Sequence, residues 1–413
     1  MIKKLVKKLG FGFFLKSSVI NILANIVGII SLQIFVLPFI ASEYTNEFAN
    51  ILIVLGYSNI LCGVIAGAAS NLIIRDLKTK NKEKEYISWT LYFSFFIVAI
   101  FTVVISFVSH ISTINGLYIL VLSLKTFLMA FPYKNLKFKY LLITNFINLL
   151  FASMLILFSH LNYFNIKDPF FFIIIPELIS TILLLYVYRS SFCFINLYQI
   201  WLYTIKEIKS FTVMMALMLS TVGLKYIDRI IIPFFLEEDY LAIFYTGSIL
   251  GMLIMFPLGA VSNMVFSYLS NKKVAIEGKY LLQVSIFTLL TLLTTGIFIF
   301  MLTPFVVKIF YREYSSEITP YLLLISLLQP IILLDLFLRG LTMVYIKDTS
   351  KILIDLSSLI GIIVLSSFLI EIFELKGYIF SLILVYLSKN CIQTFFVLRN
   401  LKKSNLPLRN DNN

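Results

Sequence analysis

Twelve long apolar runs alternate with short polar connections along the chain. The first six cover approximately 12–40, 46–73, 87–109, 112–131, 141–160 and 170–188. The second six cover approximately 211–235, 240–268, 281–303, 319–344, 352–371 and 377–398. At 1.5 Å per residue each run is about long enough, given some tilt and partial insertion, to cross ~30 Å of hydrocarbon as a helix. None shows the apolar–polar alternation of a barrel strand, and only helices and closed barrels satisfy every backbone polar group in lipid. The pattern therefore predicts an all-α integral membrane protein of about twelve spans.

The connections alternate in charge, which tests that count. One set is basic: Arg75 through Lys84, then Lys134, Lys137 and Lys139, then Arg189 through Lys209, then Lys272, Lys273 and Lys279, then Lys347 and Lys351, and last Arg399, Lys402, Lys403 and Arg409. The other is acidic: Glu43 and Glu47, Asp168, Glu237-Glu238-Asp239, Glu313 and Glu317, Glu371 and Glu374. A missed or extra span would invert the alternation downstream. Basic loops stay inside, so both termini are expected in the cytoplasm of a protein embedded in the inner (plasma) membrane.

Composition changes the picture in one respect. With 60% hydrophobic and 13% charged residues, the chain carries too little polar surface to face water all round. The net charge of +13 would raise nucleic-acid binding in a soluble protein. Here roughly 24 of the Lys and Arg residues fall in the inner segments and roughly 4 in the outer ones, so the excess is a topology signal. Cys62, Cys193 and Cys391 are too scattered for a disulfide framework or a metal site. His110 and His160 sit at outer span ends. Glu237-Glu238-Asp239 reads as charge kept outside rather than as a metal site. Zinc, phosphate-loop, nucleophile-elbow and kinase motifs are absent, so neither an enzyme nor a cofactor is expected.

The longest inner connection, approximately 189–210, divides six spans from six. A shift of 195 residues aligns Val27-Gly28 with Val222-Gly223, Pro38-Phe39 with Pro233-Phe234, Glu43 with Glu238, and Leu55-Gly56 with Leu250-Gly251. Matched Gly and Pro positions without a gap indicate an internal repeat. Six is even, so the halves enter from the same side, as parallel six-helix bundles covering 1–200 and 201–413.

Charges inside spans are costly, so they face a cavity, a partner helix or the headgroups. Lys16, Lys125, Arg339 and Asp355 lie close enough to the inner boundary to be read as snorkelling or interfacial groups. Lys225, Asp228 and Arg229 lie deeper in span 7, on or near one helical face. They read as a wetted cationic site or as a neutralised patch joining two helices. Lys389, beside Asn390 and Gln393 in span 12, is the second deep cation. Glu177, after Pro176 in span 6, and Asp335 in span 10 are the deep carboxylates, suited to carrying a coupling proton or to neutralising a cation. Asn21 and Asn25, four apart in span 1 with Gln33 beyond, line a seam or a lumen. Pro38, Pro176, Pro233, Pro257 and Pro330 interrupt spans, as in helices that bend between states.

Together the 6+6 layout, the Leu37-Pro38-Phe39-Ile40 end of span 1, and Lys225-Tyr226-Ile227-Asp228-Arg229 followed by Pro233, an acidic turn and Ile243-Phe244-Tyr245 are informative. They resemble the polysaccharide transporter (Wzx-like) flippases of the MOP superfamily, which also contains MATE exporters. The resemblance implies a substrate, an undecaprenyl-diphosphate-linked oligosaccharide moved to the outer leaflet for polysaccharide synthesis. It also implies polymerase and glycosyltransferase neighbours. Lys225, Arg229, Lys389 and Asn25 would then meet the substrate, with Asp228, Glu177 and Asp335 in coupling or charge pairing. A major-facilitator carrier is disfavoured because Asn71 through Arg75, Asp76 and Lys78 lack its loop motif. A repeat-unit polymerase or a MATE-type exporter remains the alternative.

Overall fold

The computed structural model describes residues 11–75, 83–109, 112–135, 137–161, 163, 166, 168–272 and 278–404, with side chains outside 11–18, 75, 108–109, 256–293, 343–344, 348 and 401–404. Asp76, Lys78, His110 and the side chains of Lys16 and Pro257 lie outside what is described.

Every described element is helical, and the helices follow the apolar runs. The first half holds α1 (Phe11–Ile29), a π-helical segment (Ile30–Val36), α2 (Leu37–Glu43), α3 (Thr45–Arg75), α4 (Glu83–Ser109), α5 (Thr113–Leu128), α6 (Ala130–Lys134), α7 (Phe138–His160) and α8 (Phe171–Tyr188). Then come α9 (Leu197–Tyr226), α10 (Asp228–Phe235), α11 (Asp239–Lys272), α12 (Gly278–Phe310), α13 (Leu322–Tyr345) and α14 (Asp348–Ser404). Among the described residues, nine helical stretches are long and apolar enough to cross a membrane, and Asp239–Met255 and Thr294–Phe310 are shorter apolar stretches. Large apolar side chains cover the outside, such as Phe107 at 80% exposure and Phe96 at 63%. That surface suits lipid and not water.

α14 contains spans 11 and 12, joined at Glu374, whose φ of 50° and ψ of −133° leave the helical region. A β-carbon on Gly377 would lie 1.9 Å from the Leu369 carbonyl oxygen, so only glycine allows this turn. The Ser366 and Ser381 hydroxyls meet at 2.7 Å across the hairpin. The turn falls at the acidic Glu371–Glu374 connection read from the sequence.

Spans 1 and 7 are broken where the prolines predict. A proline ring displaces the carbonyl four residues earlier and offers it no N–H. The π-helical segment directly precedes Leu37-Pro38, and α9 yields to α10 at Ile227, ahead of Pro233. α8 and α13, by contrast, run through Pro176 and Pro330 unbroken.

One boundary differs from the sequence reading. Lys206, Glu207 and Lys209 looked like part of a connection, but α9 begins at Leu197. Asn196 accepts from the Gln199 amide at 2.8 Å, and the Gln199 side chain accepts from the Asn196 amide at 3.1 Å. This capping box starts a helix ~45 Å long, so its charged first turns extend beyond the hydrocarbon.

Contacts divide the chain into two compact units, Met1–Ile230 and Ile231–Asn413. In the first, α3 is central: Cys62, Ile65 and Ala69 pack against Ile119 and Phe127 of α5, Leu184 of α8 and Met214 of α9. α9 is held in this unit along two seams. Trp89 of α4 donates to Thr204 at 3.0 Å and stacks on Phe93 and Tyr203. On α3, Gly56, Gly63 and Gly67 face Arg229, Val222 and Met218. In the second unit α13 packs against α11, α12 and α14. There Gly251, the repeat partner of Gly56, likewise receives a long polar side chain, Gln329.

A β-carbon at Gly56 would stand 2.4 Å from the Arg229 β-carbon. Gly56→Val should therefore push the start of α10 off α3, lowering stability by about 1–3 kcal/mol as overpacking does. Thermal unfolding in detergent reads this, and an unchanged midpoint would show that the seam is slack.

Candidate functional site

The first unit buries an ion pair between α5 and α8. Lys125 hydrogen-bonds Glu177, with side chains 5% and 19% exposed. The expectation that Lys125 snorkels to the boundary is overturned, because α8 brings a carboxylate to it inside the protein. Glu177 follows Pro176 on a helix that continues, and its backbone carbonyl also accepts from Ser180 and Thr181.

The Lys225–Arg229 segment is divided by the break between α9 and α10. Asp228 and Arg229 are buried, at 7% and 6% exposure, whereas Lys225 is exposed. Arg229 donates to the Leu52 carbonyl at 3.2 Å, on the turn of α3 that precedes Gly56. Both cations approach the Tyr226 ring, Lys225 at 5.0 Å and Arg229 at 5.4 Å. Such cation–π contacts hold a charge while leaving its polar edge available. Asp228 opens α10 and feels the charges of Arg229 and Lys225.

Asn25 donates to Asn21, to its carbonyl at 2.8 Å and its side chain at 3.1 Å. The bonds that join span 1 to span 5 come from residues the sequence reading passed over. Ser31 donates to Asn148 at 2.8 Å, and Asn145 donates to the Ala24 carbonyl at 2.8 Å. Their signal was present: Asn145 and Asn148 are polar, three apart, and lie within an apolar run.

At the end of this unit that carries Glu47 and Asp168, a cavity of about 430 Å³ is lined by Glu47, Asn50, Ser112, Asn115, Asp168 and Phe170. Beside it, burial and the Glu43 and Glu47 carboxylates push the Tyr44 phenol up. This end of the unit is anionic.

The second unit contains the densest buried charge. Lys389 stands 2.9 Å from one Asp335 oxygen, 3.0 Å from the other, and 3.0 Å from Asp355. Lys389 is 5% exposed and Asp355 2%. Two predicted site residues, Lys389 and Asp335, are therefore brought together. Asp355 is not an interfacial group but a second counter-ion. Asn390 donates to the Ile331 carbonyl at 2.9 Å, tying span 12 to span 10 beside the triad. Lys351, 6% exposed, completes the cluster and feels the charges of Arg339, Lys389 and both aspartates.

The two ion pairs correspond. Lys125 and Glu177 come from the fourth and sixth spans of the first half, and Asp335 and Lys389 from the fourth and sixth of the second. The sign is exchanged. Sequence alone could place these charges at depth but could not pair them.

No protein-family model matches the chain, and no curated protein matches it in sequence. Its fold does match solved structures. The eukaryotic MATE transporter AtDTX14 superposes with a TM-score of 0.64 at 12% identity, over 96% of this chain and 99% of that one. An inward-facing multidrug resistance MATE family transporter of the MOP superfamily gives 0.62 at 10% identity, over 94% and 95%. The lipid II flippase MurJ, in an inward closed conformation, gives 0.60 at 13% identity, over 95% and 88%. At these identities the likeness establishes architecture: the chain is a multi-pass membrane protein with the all-helical fold that MATE transporters share with a lipid II flippase.

Proposed function

We propose that this chain is a flippase that carries a polyprenyl-diphosphate-linked oligosaccharide repeat unit from the inner to the outer leaflet for surface polysaccharide synthesis. The observation that supports it is the sign of the embedded charge. Among the described residues, Lys125 is balanced by Glu177 and Arg229 by Asp228. Lys351, Lys389 and Arg339 outnumber Asp335 and Asp355. An anionic substrate gains from such a lining, whereas a cationic drug would be repelled.

A diphosphate with attached sugars cannot enter hydrocarbon unaided. In this reading, the headgroup follows a wetted path while the polyprenyl tail stays in lipid. Lys225 and Arg229 attract the diphosphate, and Asn25 bonds to sugar hydroxyls. Lys389 turns from its aspartates toward the passing anion, with Asp335 in coupling or charge pairing. Glu177 and Asp228 keep their neighbouring cations oriented. The protein sits in the inner membrane with cytoplasmic termini, working alongside glycosyltransferases and a polymerase.

A deletion strain should accumulate lipid-linked repeat units on the inner leaflet. Unpolymerised units outside the cell would instead indicate a polymerase, and unaltered polysaccharide with lost drug efflux a MATE-type exporter. At equal protein levels, Lys225→Ala and Arg229→Ala should each cut surface polysaccharide by about tenfold, as expected for losing a charge-assisted contact. Undiminished polysaccharide in both would remove these residues from the substrate path.

A further inference from the structure

In the second unit the buried cluster is arranged in two levels. α13 and α14 are packed neighbours, and the short 346–347 connection makes them antiparallel where they meet. Each carries a carboxylate and a cation four residues apart: Asp335 with Arg339 on α13, Lys351 with Asp355 on α14. Residues at that spacing lie on one face, one turn apart. Both aspartates turn to Lys389 and neutralise it. Arg339 and Lys351 lie one turn nearer the 346–347 connection, and Lys351 feels the charge of Arg339.

Two observations mark this second level as unfinished. Lys351 is 94% buried, being 6% exposed, yet among the described residues no carboxylate lies within ion-pair distance of it. The Nε of Arg339 is buried without a hydrogen-bond partner. Buried polar groups are almost always satisfied, so a buried ammonium without a carboxylate and a guanidinium N–H without an acceptor point to something that binds there. Two cations without a carboxylate select an anion, and a guanidinium beside an ammonium suits the oxygens of a phosphate group.

We propose that Arg339 and Lys351 form a binding subsite for a phosphate or diphosphate group, and that the Lys389–Asp335–Asp355 triad holds its floor. The geometry stands by itself; the identification of the ligand as the headgroup of a polyprenyl-diphosphate rests on the flippase reading. The 346–347 connection is one of the basic, inner-side loops, so the subsite lies where a headgroup from the inner leaflet would first enter. Lys389 then lies one turn further along, which orders the anion's contacts as Arg339 and Lys351 before Lys389.

The test is equilibrium binding by the full chain in neutral phosphatidylcholine nanodiscs. The probes are undecaprenyl diphosphate, inorganic pyrophosphate and phosphatidylglycerol. Arg339→Gln with Lys351→Gln should weaken undecaprenyl diphosphate binding by about tenfold or more, whereas Arg339→Lys with Lys351→Arg should largely retain it. Should the glutamine variant not fold, the wild-type chain still gives an answer. Bound probe should slow acetylation of Lys351 by at least about threefold, with exposed Lys206 as the internal control. Protection by pyrophosphate indicates that the headgroup suffices, protection by undecaprenyl diphosphate alone that the tail is needed, and protection by phosphatidylglycerol a general phospholipid site. Each supports the phosphate subsite. Unchanged affinity in the folded glutamine variant, or no protection by any probe, overturns it. The flippase reading is tested separately by the deletion strain, so either can fail without the other.

Discussion

Glu177→Ala should destabilise the protein by about 3–5 kcal/mol, the cost of leaving one member of a buried ion pair without its partner. Lys125 is 4% exposed, and its ammonium is bonded to Glu177 beside an apolar core. Removing the carboxylate strands that charge, because the lysine is enclosed between α5 and α8 and has no short route to water. The pair as a whole contributes far less than its breakage costs, since both groups had to leave water to form it. The double variant Lys125→Met with Glu177→Leu should accordingly recover most of the loss. Cys62, at 1% exposure, supplies the readout: a dye that reacts with thiols reports unfolding in detergent when this cysteine is released. Equal midpoints for Glu177→Ala and the wild type would mean that the pair is dispensable.

Lys389→Met should be more damaging. It removes the cation bonded to both Asp335 and Asp355 and leaves two carboxylates near each other in a protein interior. Loss of one buried partner costs about 3–5 kcal/mol, and like-charge repulsion adds to it. Asp335→Asn with Asp355→Asn in the Lys389→Met background should restore most of the thermal midpoint in detergent, because the neutral amides no longer need the ammonium. A triple variant no more stable than Lys389→Met would refute the account, since loss of packing alone is not relieved by removing the carboxylate charges.

These two expectations rest on the part of the molecule that the sequence could not supply. The depth of Lys389, Asp335 and Glu177 was visible from hydropathy. So were the alternatives for the carboxylates, coupling group or neutraliser, and the structure gives both of them cationic partners. The partners themselves lie 52 and 54 residues away along the chain. No local spacing encodes that. Lys125, Arg339 and Asp355 were read as interfacial because their distance from a span end permits snorkelling, and distance along a helix says nothing of which way the side chain turns. The start of α9 was misplaced for a related reason. Charged residues on one face of an amphipathic helix lower the running hydropathy as a loop does, and only the Asn196–Gln199 cap distinguishes the two.

What the chain determined unaided is therefore the one-dimensional part of the problem. Lipid imposes a length and an apolar character on each span, so the spans, their breaks before Pro38 and Pro233, and the hairpin at Glu374 follow from composition along the chain. Tertiary structure decided the rotation of each helix about its own axis. In a bilayer every face of a span is apolar enough, and hydropathy does not choose between them. Close contacts choose instead, such as Gly56 against Arg229 and Gly251 against Gln329. Those rotations turn Asp335 and Asp355 onto Lys389, and they leave Arg339 and Lys351 as the cationic excess of the second unit.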